Sequence, residues 1–140
     1  MPLFRERGQK TILFVDDEHC ILTMRRFMFE KLGYTVLTAE SGKEALEILG
    51  LIAADLVVMD YLMPGMDGGE TARRIRELHW DIPIILSSGC LSIPERVLEI
   101  VSATVDKIAG PEALVEAVEH QLRATPVGNT AKDTSARLGY

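Results

Sequence analysis

Hydrophobic positions along the chain fall into two alternating patterns. Between residues 11 and 123, short runs of β-branched and other apolar residues alternate with longer segments whose apolar residues recur at helical spacing. This alternation is typical of repeated βα units, which build a parallel sheet covered by helices. We therefore predict an α/β domain.

Five strands are predicted. Three of them are almost continuously apolar, as expected of strands that helices cover on both faces, so the first, third and fourth should be central. The predicted strands are TILFV (11–15), TVLTA (35–39), LVVMD (56–60), PIILS (83–87) and ATVDK (103–107).

Helical periodicity fills the intervals between these strands. Ser41 followed by Glu44 is a capping-box pattern, and Pro111 suits the first turn of a helix. We expect Leu32 and Leu78 to lie on the buried faces of their helices. The predicted helices run from His19 to about Leu32, from the cap Ser41 onward, from Gly69 to Leu78, from Ile93 to about Val101 and from Pro111 onward.

The length of the chain fits one domain with short ends. A chain of 140 residues can bury one hydrophobic core. We place the domain at residues 10–123, after an N-terminal extension at residues 1–9. Residues 124–140 are small and polar without an apolar period, so we predict a flexible C-terminal tail.

The acidic balance of the chain argues against direct contact with nucleic acid. The formal net charge is −6 and the isoelectric point is near 5.1, which would repel a phosphate backbone. Arg73, Arg74 and Arg76 form a basic cluster, but they share one predicted helix and are interpreted as its solvated face.

Membrane insertion and sulfur chemistry are also disfavoured. No apolar run approaches the roughly 20 residues that a transmembrane helix needs, so we expect a cytoplasmic protein with no membrane partner. Cys20 and Cys90 lack CxxC spacing and are predicted to be free thiols. The three histidines lie far apart in sequence, so we predict no histidine metal ligands.

Acidic side chains follow two of the predicted central strands. Asp16 and Asp17 come directly after the first strand, and Asp60 ends the third. In an open α/β sheet the carboxyl ends of the central strands form the ligand site, so these carboxylates should converge. Two carboxylates about 4 Å apart repel by roughly 4 kcal/mol at an effective dielectric constant of 20. Such a cluster calls for a cation, and oxygen ligands favour Mg²⁺ or a similar divalent ion.

The same edge of the sheet should carry a hydroxyl and an ammonium group. The fourth strand ends in Ser87 and Ser88, and the fifth ends in Lys107. A metal-bound aspartate can attack a phosphoryl group while such groups stabilise the transferred oxygens. Each residue alone has an ordinary structural interpretation: Asp17 as a helix cap, the serines as a turn, the lysine as a solvated end. Their common placement at strand ends favours a site.

Three motifs together resemble the receiver domains of two-component response regulators. They are ILFVDDE (12–18), LVVMDYLMPGMDG (56–68) and IPIILSSG (82–89), and the resemblance extends over about residues 10–123. It implies a three-layer αβα, flavodoxin-like fold with a five-stranded parallel sheet in the strand order 2-1-3-4-5.

The resemblance also implies roles for individual residues. Asp60 would be the phosphoacceptor, and Asp16 and Asp17 would bind Mg²⁺ together with Asp60. The backbone carbonyl of Leu62 would complete the protein ligands. Ser88 would be the phosphate-sensing hydroxyl.

In the same scheme Lys107 would pair with the phosphate. The chain departs from the family pattern around this lysine. Ile108 follows it where the family usually has a proline, often preceded by a cis bond; a cis bond before isoleucine costs about 2.5 to 4 kcal/mol, so we predict a trans bond. Thr104 stands where the family commonly has an aromatic residue. The interval from Ser88 to Lys107 is a few residues shorter than is usual in the family, which predicts a shortened fourth helix or loop.

These implications favour a phosphoaccepting receiver in a two-component phosphorelay. A histidine kinase or phosphotransfer protein would supply the phosphoryl group to Asp60 with Mg²⁺, making the protein a signalling switch rather than a metabolic enzyme. We expect a monomer or weak dimer that acts on a downstream protein target, either stand-alone or as part of a longer regulator.

Two other functions fit the sequence less well. A pseudo-receiver would act only as a protein interaction module, but the intact carboxylates argue against it. An aspartate-nucleophile phosphohydrolase should carry a second aspartate two positions after Asp60, where this chain has Leu62.

Leu62 and Cys90 should affect the lifetime of the phosphorylated state. In the family, the positions two after the acceptor and two after the sensing hydroxyl flank the path of the attacking water. Neither residue here is a strong hydrogen-bond partner for that water, so we expect slow self-hydrolysis. A Leu62→Asn, Cys90→Glu double variant should lose its phosphoryl group faster, timed without a phosphatase. An unchanged decay rate would mean that these residues serve another purpose, such as docking a partner.

Overall fold

Strands and helices alternate along the whole of the described chain. The structure is a computed structural model, and it describes residues 9–79, 81–89 and 92–124. The elements in order are β1 (Thr11–Val15), α1 (His19–Lys31), β2 (Thr35–Ala39), α2 (Gly42–Leu49), β3 (Leu56–Asp60), α3 (Gly68–Leu78), β4 (Ile84–Ser88), α4 (Glu95–Leu98), β5 (Ala103–Asp106) and α5 (Pro111–Ala124).

The strands form one parallel sheet in the order β2-β1-β3-β4-β5, which confirms the predicted flavodoxin-like fold. Every residue of β1, β3 and β4 is buried, so their predicted central position is also confirmed. In this register Val15 lies beside Met59, and Asp60 lies beside Ser87. The ends of three strands therefore meet at one edge.

Two hydrophobic cores lie on opposite faces of the sheet. Leu13 and Val15 face the core that includes α2 and α3, whereas Ile12 and Phe14 face the core that includes α1 and α5. Phe14 packs against Phe29 of α1 with ring centroids 5.0 Å apart. Because strand side chains alternate between faces, Asp16 falls on the same side as Phe14, the side of α1.

Caps fix the helix starts that lead into the sheet. The Ser41 hydroxyl accepts a hydrogen bond from the backbone N–H of Glu44 at 3.1 Å, as the capping pattern predicts. The Asp67 carboxylate caps α3 in the same way, accepting from the N–H of Glu70 at 2.8 Å. None of the helices within the described segments is long and apolar enough to cross a membrane.

The fourth helix is short, as predicted, but shorter than its apolar pattern indicates. It occupies only Glu95–Leu98, because Pro94 precedes it and β5 already begins at Ala103. Strand β4 also begins one residue later than predicted, at Ile84. The preceding Pro83 has no N–H to donate to a neighbouring strand.

Two predicted burial positions are wrong. Leu32 is 50% exposed and Leu78 is 57% exposed. Leu32 lies beyond the last residue of α1, where the chain turns at Gly33 with φ of 100°, and Leu78 is the last residue of α3. A helical period overestimates burial where the helix itself ends.

The two predicted terminal segments, residues 1–9 and 124–140, lie almost wholly outside the described residues. Gln9 is described, and its side-chain amide donates a hydrogen bond to the hydroxyl of Thr35 at 2.7 Å. Ala124 is the last residue of α5. The predicted extension and tail stay predictions.

The start of α3 packs too closely on the end of β3 for any side chain at Gly68. A Cβ there would lie 2.7 Å from the carbonyl oxygen of Asp60 and 2.7 Å from Cα of Tyr61. We expect Gly68→Ala to lower the free energy of unfolding in urea by about 1–3 kcal/mol.

The matched control is Gly50→Ala. At Gly50 the φ angle is −74° and the nearest atoms to a new Cβ lie at 3.5 Å. That variant should keep its stability or gain about 0.4–1 kcal/mol, because alanine restricts the unfolded chain. Equal stability of the two variants would contradict the close packing of α3 on β3.

Candidate functional site

Three acidic side chains converge at the carboxyl edge of the sheet. Oxygen atoms from the carboxylates of Asp16, Asp17 and Asp60 all lie within 4.8 Å of one another. Asp16 is fully buried and Asp60 is only 5% exposed, whereas Asp17 is open to solvent. The structure thus brings together the acidic residues that the sequence placed at two strand ends.

Lys107 reaches into this acidic cluster from the end of β5. Its Nζ lies 2.9 Å from Oδ2 of Asp60, 3.3 Å from Oδ2 of Asp16 and 3.8 Å from Oε1 of Glu18. The backbone N–H of Lys107 donates to the carbonyl of Ser88 at 3.0 Å, which ties the base of its side chain to β4. One ammonium therefore bridges carboxylates from two neighbouring strands.

The lysine loop takes an ordinary backbone path. No cis peptide bond occurs among the described residues, so the bond between Lys107 and Ile108 is trans, as predicted. The N–H of Ile108 donates to the Asp106 carboxylate at 3.0 Å, which stabilises the turn. The side chain of Lys107 therefore reaches the carboxylates although isoleucine, and not proline, follows it.

The ionised form of Asp60 is under electrostatic strain. Burial raises the pKa of its carboxyl group, the hydrogen bond and charge of Lys107 lower it, and the charge of Asp16 raises it again. A hydrogen bond from the backbone of Leu62 also favours the carboxylate. The net pKa is raised, so one lysine does not fully offset the burial and repulsion of the cluster.

The Lys107 ammonium responds in the complementary way. Burial alone would lower its pKa, but the hydrogen bond and charge of Asp60, together with Asp16, raise the pKa above its ordinary value. Lys107 is therefore firmly charged at neutral pH. Its charge is available both to the free carboxylates and to a group attached to Asp60.

The donor atoms fit a hard divalent cation. Three carboxylates from two strand ends lie together, and the buried Oδ2 of Asp16 accepts no hydrogen bond although Nζ of Lys107 lies 3.3 Å away. Leu62 follows in the loop after β3, with a side chain that is 60% exposed. An all-oxygen set with an open side matches what Mg²⁺ prefers.

The two serines at the end of β4 differ in orientation. Ser88, the predicted sensing hydroxyl, is buried and is the last residue of the strand. Ser87 is the register partner of Asp60 and therefore shares its face of the sheet. The hydroxyl of Ser87 accepts a hydrogen bond from Nη2 of Arg25 at 3.3 Å.

Arg25 is the residue near this site that the sequence analysis missed. It is only 6% exposed and lies on the buried stripe of α1 with Leu22 and Phe29. Basic residues are seldom buried, so a reading of apolar positions passes over it. The signal was its spacing, three residues after one buried apolar position and four before the next.

A model of a known family also matches the chain. The model, described as the response regulator receiver domain, matches residues 12–120. The chain belongs to this family. Within it, the response regulator MprA of Mycolicibacterium vanbaalenii is 33% identical over 128 residues, covering 89% of this chain and 55% of that protein. The chain spans about half the length of these curated relatives.

Solved receiver structures share the architecture. The response regulator TrrA from Thermotoga maritima, crystallised in complex with Mg²⁺-BeF, is 34% identical, with a TM-score of 0.76 over 81% of this chain and 99% of that chain. A CheY-like receiver domain protein from Methanospirillum hungatei is 27% identical, with a TM-score of 0.77 over 83% of this chain and 95% of that chain. The receiver fold of this chain is thus shared across distant organisms.

The Lys107–Asp60 contact generates a direct titration test. Lys107→Met removes the hydrogen bond and charge that lower the pKa of Asp60 and leaves burial and Asp16, which raise it. We expect the pKa of Asp60 to rise further in this variant, measured from its side-chain carboxyl ¹³C shift against pH in metal-free protein. Lys43→Met, at an exposed position on α2, is the control and should leave the titration unchanged. A lower Asp60 pKa in Lys107→Met would show that the ion pair does not form in solution.

Proposed function

We propose that this receiver domain takes a phosphoryl group onto Asp60 from a histidine kinase or phosphotransfer protein. The observation that carries the proposal is the state of Asp60. It is a buried carboxylate at a strand end, 2.9 Å from the Lys107 ammonium and within reach of two further carboxylates. A nucleophile, a phosphate-pairing cation and a metal-binding set of oxygens are thereby combined in one pocket.

Each residue has a distinct role in the proposed transfer. A carboxylate oxygen of Asp60 attacks phosphorus, and the bond from phosphorus to the donor nitrogen breaks, giving an acyl phosphate. Lys107, which donates a hydrogen bond to Asp60 in the unphosphorylated protein, pairs with a phosphoryl oxygen after the transfer. The Ser88 hydroxyl donates a hydrogen bond to another phosphoryl oxygen from the end of β4.

Mg²⁺ is the proposed cofactor. Asp16, Asp17, Asp60 and the backbone carbonyl of Leu62 would hold it, and it would neutralise charge on the transferring phosphoryl oxygens. The acidic cluster supports this assignment, and so does the Mg²⁺-BeF complex of the Thermotoga maritima relative. In this proposal the fully buried Asp16 would be the inner ligand of the ion and the exposed Asp17 the outer one.

The cellular location, the oligomeric state and the target of the protein are further proposals. We propose a cytoplasmic signalling protein, monomeric or weakly dimeric, that acts on a protein target and not directly on nucleic acid. The pseudo-receiver alternative is less well supported, because the three carboxylates lie within 4.8 Å of one another and Lys107 forms ion pairs with Asp16 and Asp60.

Phosphorylation can be tested by intact mass. Incubation with acetyl phosphate and Mg²⁺ should add one phosphoryl group to the wild-type protein and none to Asp60→Asn. Asp81→Asn, at an exposed position before β4, is the control and should be phosphorylated normally. A wild type that gains no phosphoryl group, or an Asp60→Asn variant that still gains one, would reject the proposal.

The response to phosphorylation should differ from the coupling between hydroxyl and aromatic residue that the family pattern implies. Thr104 is exposed on the edge strand β5, and its short side chain has no ring to move between two pockets. A beryllofluoride adduct should therefore shift the backbone amides that follow Ser88 while those of residues 103–106 change little, measured by NMR. The largest shifts falling within residues 103–106 would contradict this.

A further inference from the structure

A buried arginine lies behind the acidic pocket. Arg25 projects from α1 toward the face of the sheet that carries Asp16, Asp60 and Ser87. Its guanidinium carbon lies 6.0 Å from the centroid of the Phe14 ring, and its Nη2 donates to the Ser87 hydroxyl. It is the one buried basic side chain in the described segments of the chain.

The hydrogen bonds of Arg25 do not account for its burial. Its Nη1 is buried and has no hydrogen-bond partner, and its contact with Ser87 is a single bond at 3.3 Å. A neutral hydroxyl and one aromatic face offset little of the several kcal/mol that removing a charge from water costs. The remaining free-energy cost of burying the guanidinium must be offset by negative charge nearby.

The carboxylates of the pocket supply that charge. Burial lowers the pKa of Arg25, while the charges of Asp16 and Asp60 raise it. Geometry agrees, because the guanidinium bonds to the hydroxyl of Ser87, the register partner of Asp60, and so lies on the face of the sheet that carries Asp60. Lys107 approaches the same two carboxylates from the end of β5.

We propose that Arg25 is a positioning residue of the phosphorylation site, a built-in counter-cation that offsets the charge of Asp16 and Asp60 and thereby weakens Mg²⁺ binding. The inference rests on the proposed function, since it concerns the same pocket. With Arg25 and Lys107 present, three carboxylates face two fixed positive charges. Removing Arg25 leaves a more negative pocket, which attracts a divalent cation more strongly.

The same charge favours the phosphorylated state. A phosphoryl group adds negative charge to Asp60, and Arg25 offsets part of it without having to move. In a receiver with this internal cation, a smaller part of the negative charge of the pocket has to be neutralised by Mg²⁺. Ser87 holds the guanidinium in place, a role that its register beside Asp60 makes possible.

Magnesium titration by calorimetry is the first arm of the test. Arg25→Met should bind magnesium chloride about tenfold more tightly than the wild type, as expected for loss of one nearby charge after screening. Arg25→Lys keeps the charge and should stay within about twofold of the wild type. Should Arg25→Met be too unstable to titrate, Arg25→Met/Ser87→Val removes the charge together with the hydroxyl that it bonds. Wild-type or weaker affinity in the charge-free variant overturns the inference.

A metal-free arm separates this inference from the proposed function. Arg25→Met should lower the free energy of unfolding more in the wild-type background than in Asp60→Asn, because the interaction with Asp60 is already absent there. Lys43→Met should have the same effect in both backgrounds. Additive effects of Arg25→Met and Asp60→Asn overturn the role of Arg25. If the wild type binds no Mg²⁺ while the two changes couple, the proposed metal site fails and Arg25 remains the counter-cation of Asp60.

Discussion

Negative charge held out of water is the constraint on which this receiver domain depends. Asp16 and Asp60 are buried at the ends of adjacent strands, and a third carboxylate lies beside them at the surface. Their repulsion must be offset by cations, and the protein contributes Lys107 within contact distance and Arg25 from behind. Burial is the largest cause of the raised pKa of Asp60, and Lys107 lowers that pKa without cancelling the effect.

The fold serves this pocket by bringing the strand ends together. The parallel order places the end of β1 next to that of β3, and the end of β3 next to that of β4. The carboxylates of the pocket therefore come from the ends of β1 and β3, whereas Lys107 follows β5, near the shortened α4. There α4 is a single turn and Thr104 is exposed, yet Lys107 still reaches Asp60 at 2.9 Å.

Much of this arrangement could be predicted from the sequence because apolar runs mark buried strands. The bounds of β1, β2 and β3 match their predicted segments, and the acidic residues at their ends converge as expected. The burial of residues at helix ends was harder to predict. Leu78 continues the helical period of α3, but it is the last residue of that helix and is exposed.

Arg25 could not be predicted from the sequence for a different reason. The charges of Asp16 and Asp60, at the ends of β1 and β3, raise its pKa, and a pattern of apolar positions carries no information about such charges. The hydroxyl that bonds it could not be assigned either. Ser87 and Ser88 are adjacent in sequence, and only the pairing of β4 with β3 shows which of them shares a face with Asp60. Side-chain orientation at a strand end depends on register, which three-dimensional structure alone reveals.

The free energy of unfolding tests the charge balance most directly. Because the folded-state pKa of Asp60 lies above its ordinary value of 3.8, the stability gained from its protonated form is present at acidic pH and lost as pH rises through the folded-state pKa. The ionised carboxylate therefore costs stability at neutral pH. Urea unfolding of the wild type and Asp60→Asn at neutral pH, without and with millimolar Mg²⁺, measures that cost. We predict that Asp60→Asn is the more stable protein without the metal and that Mg²⁺ narrows the difference by stabilising the wild type. A less stable Asp60→Asn, together with a wild type indifferent to Mg²⁺, would contradict the account.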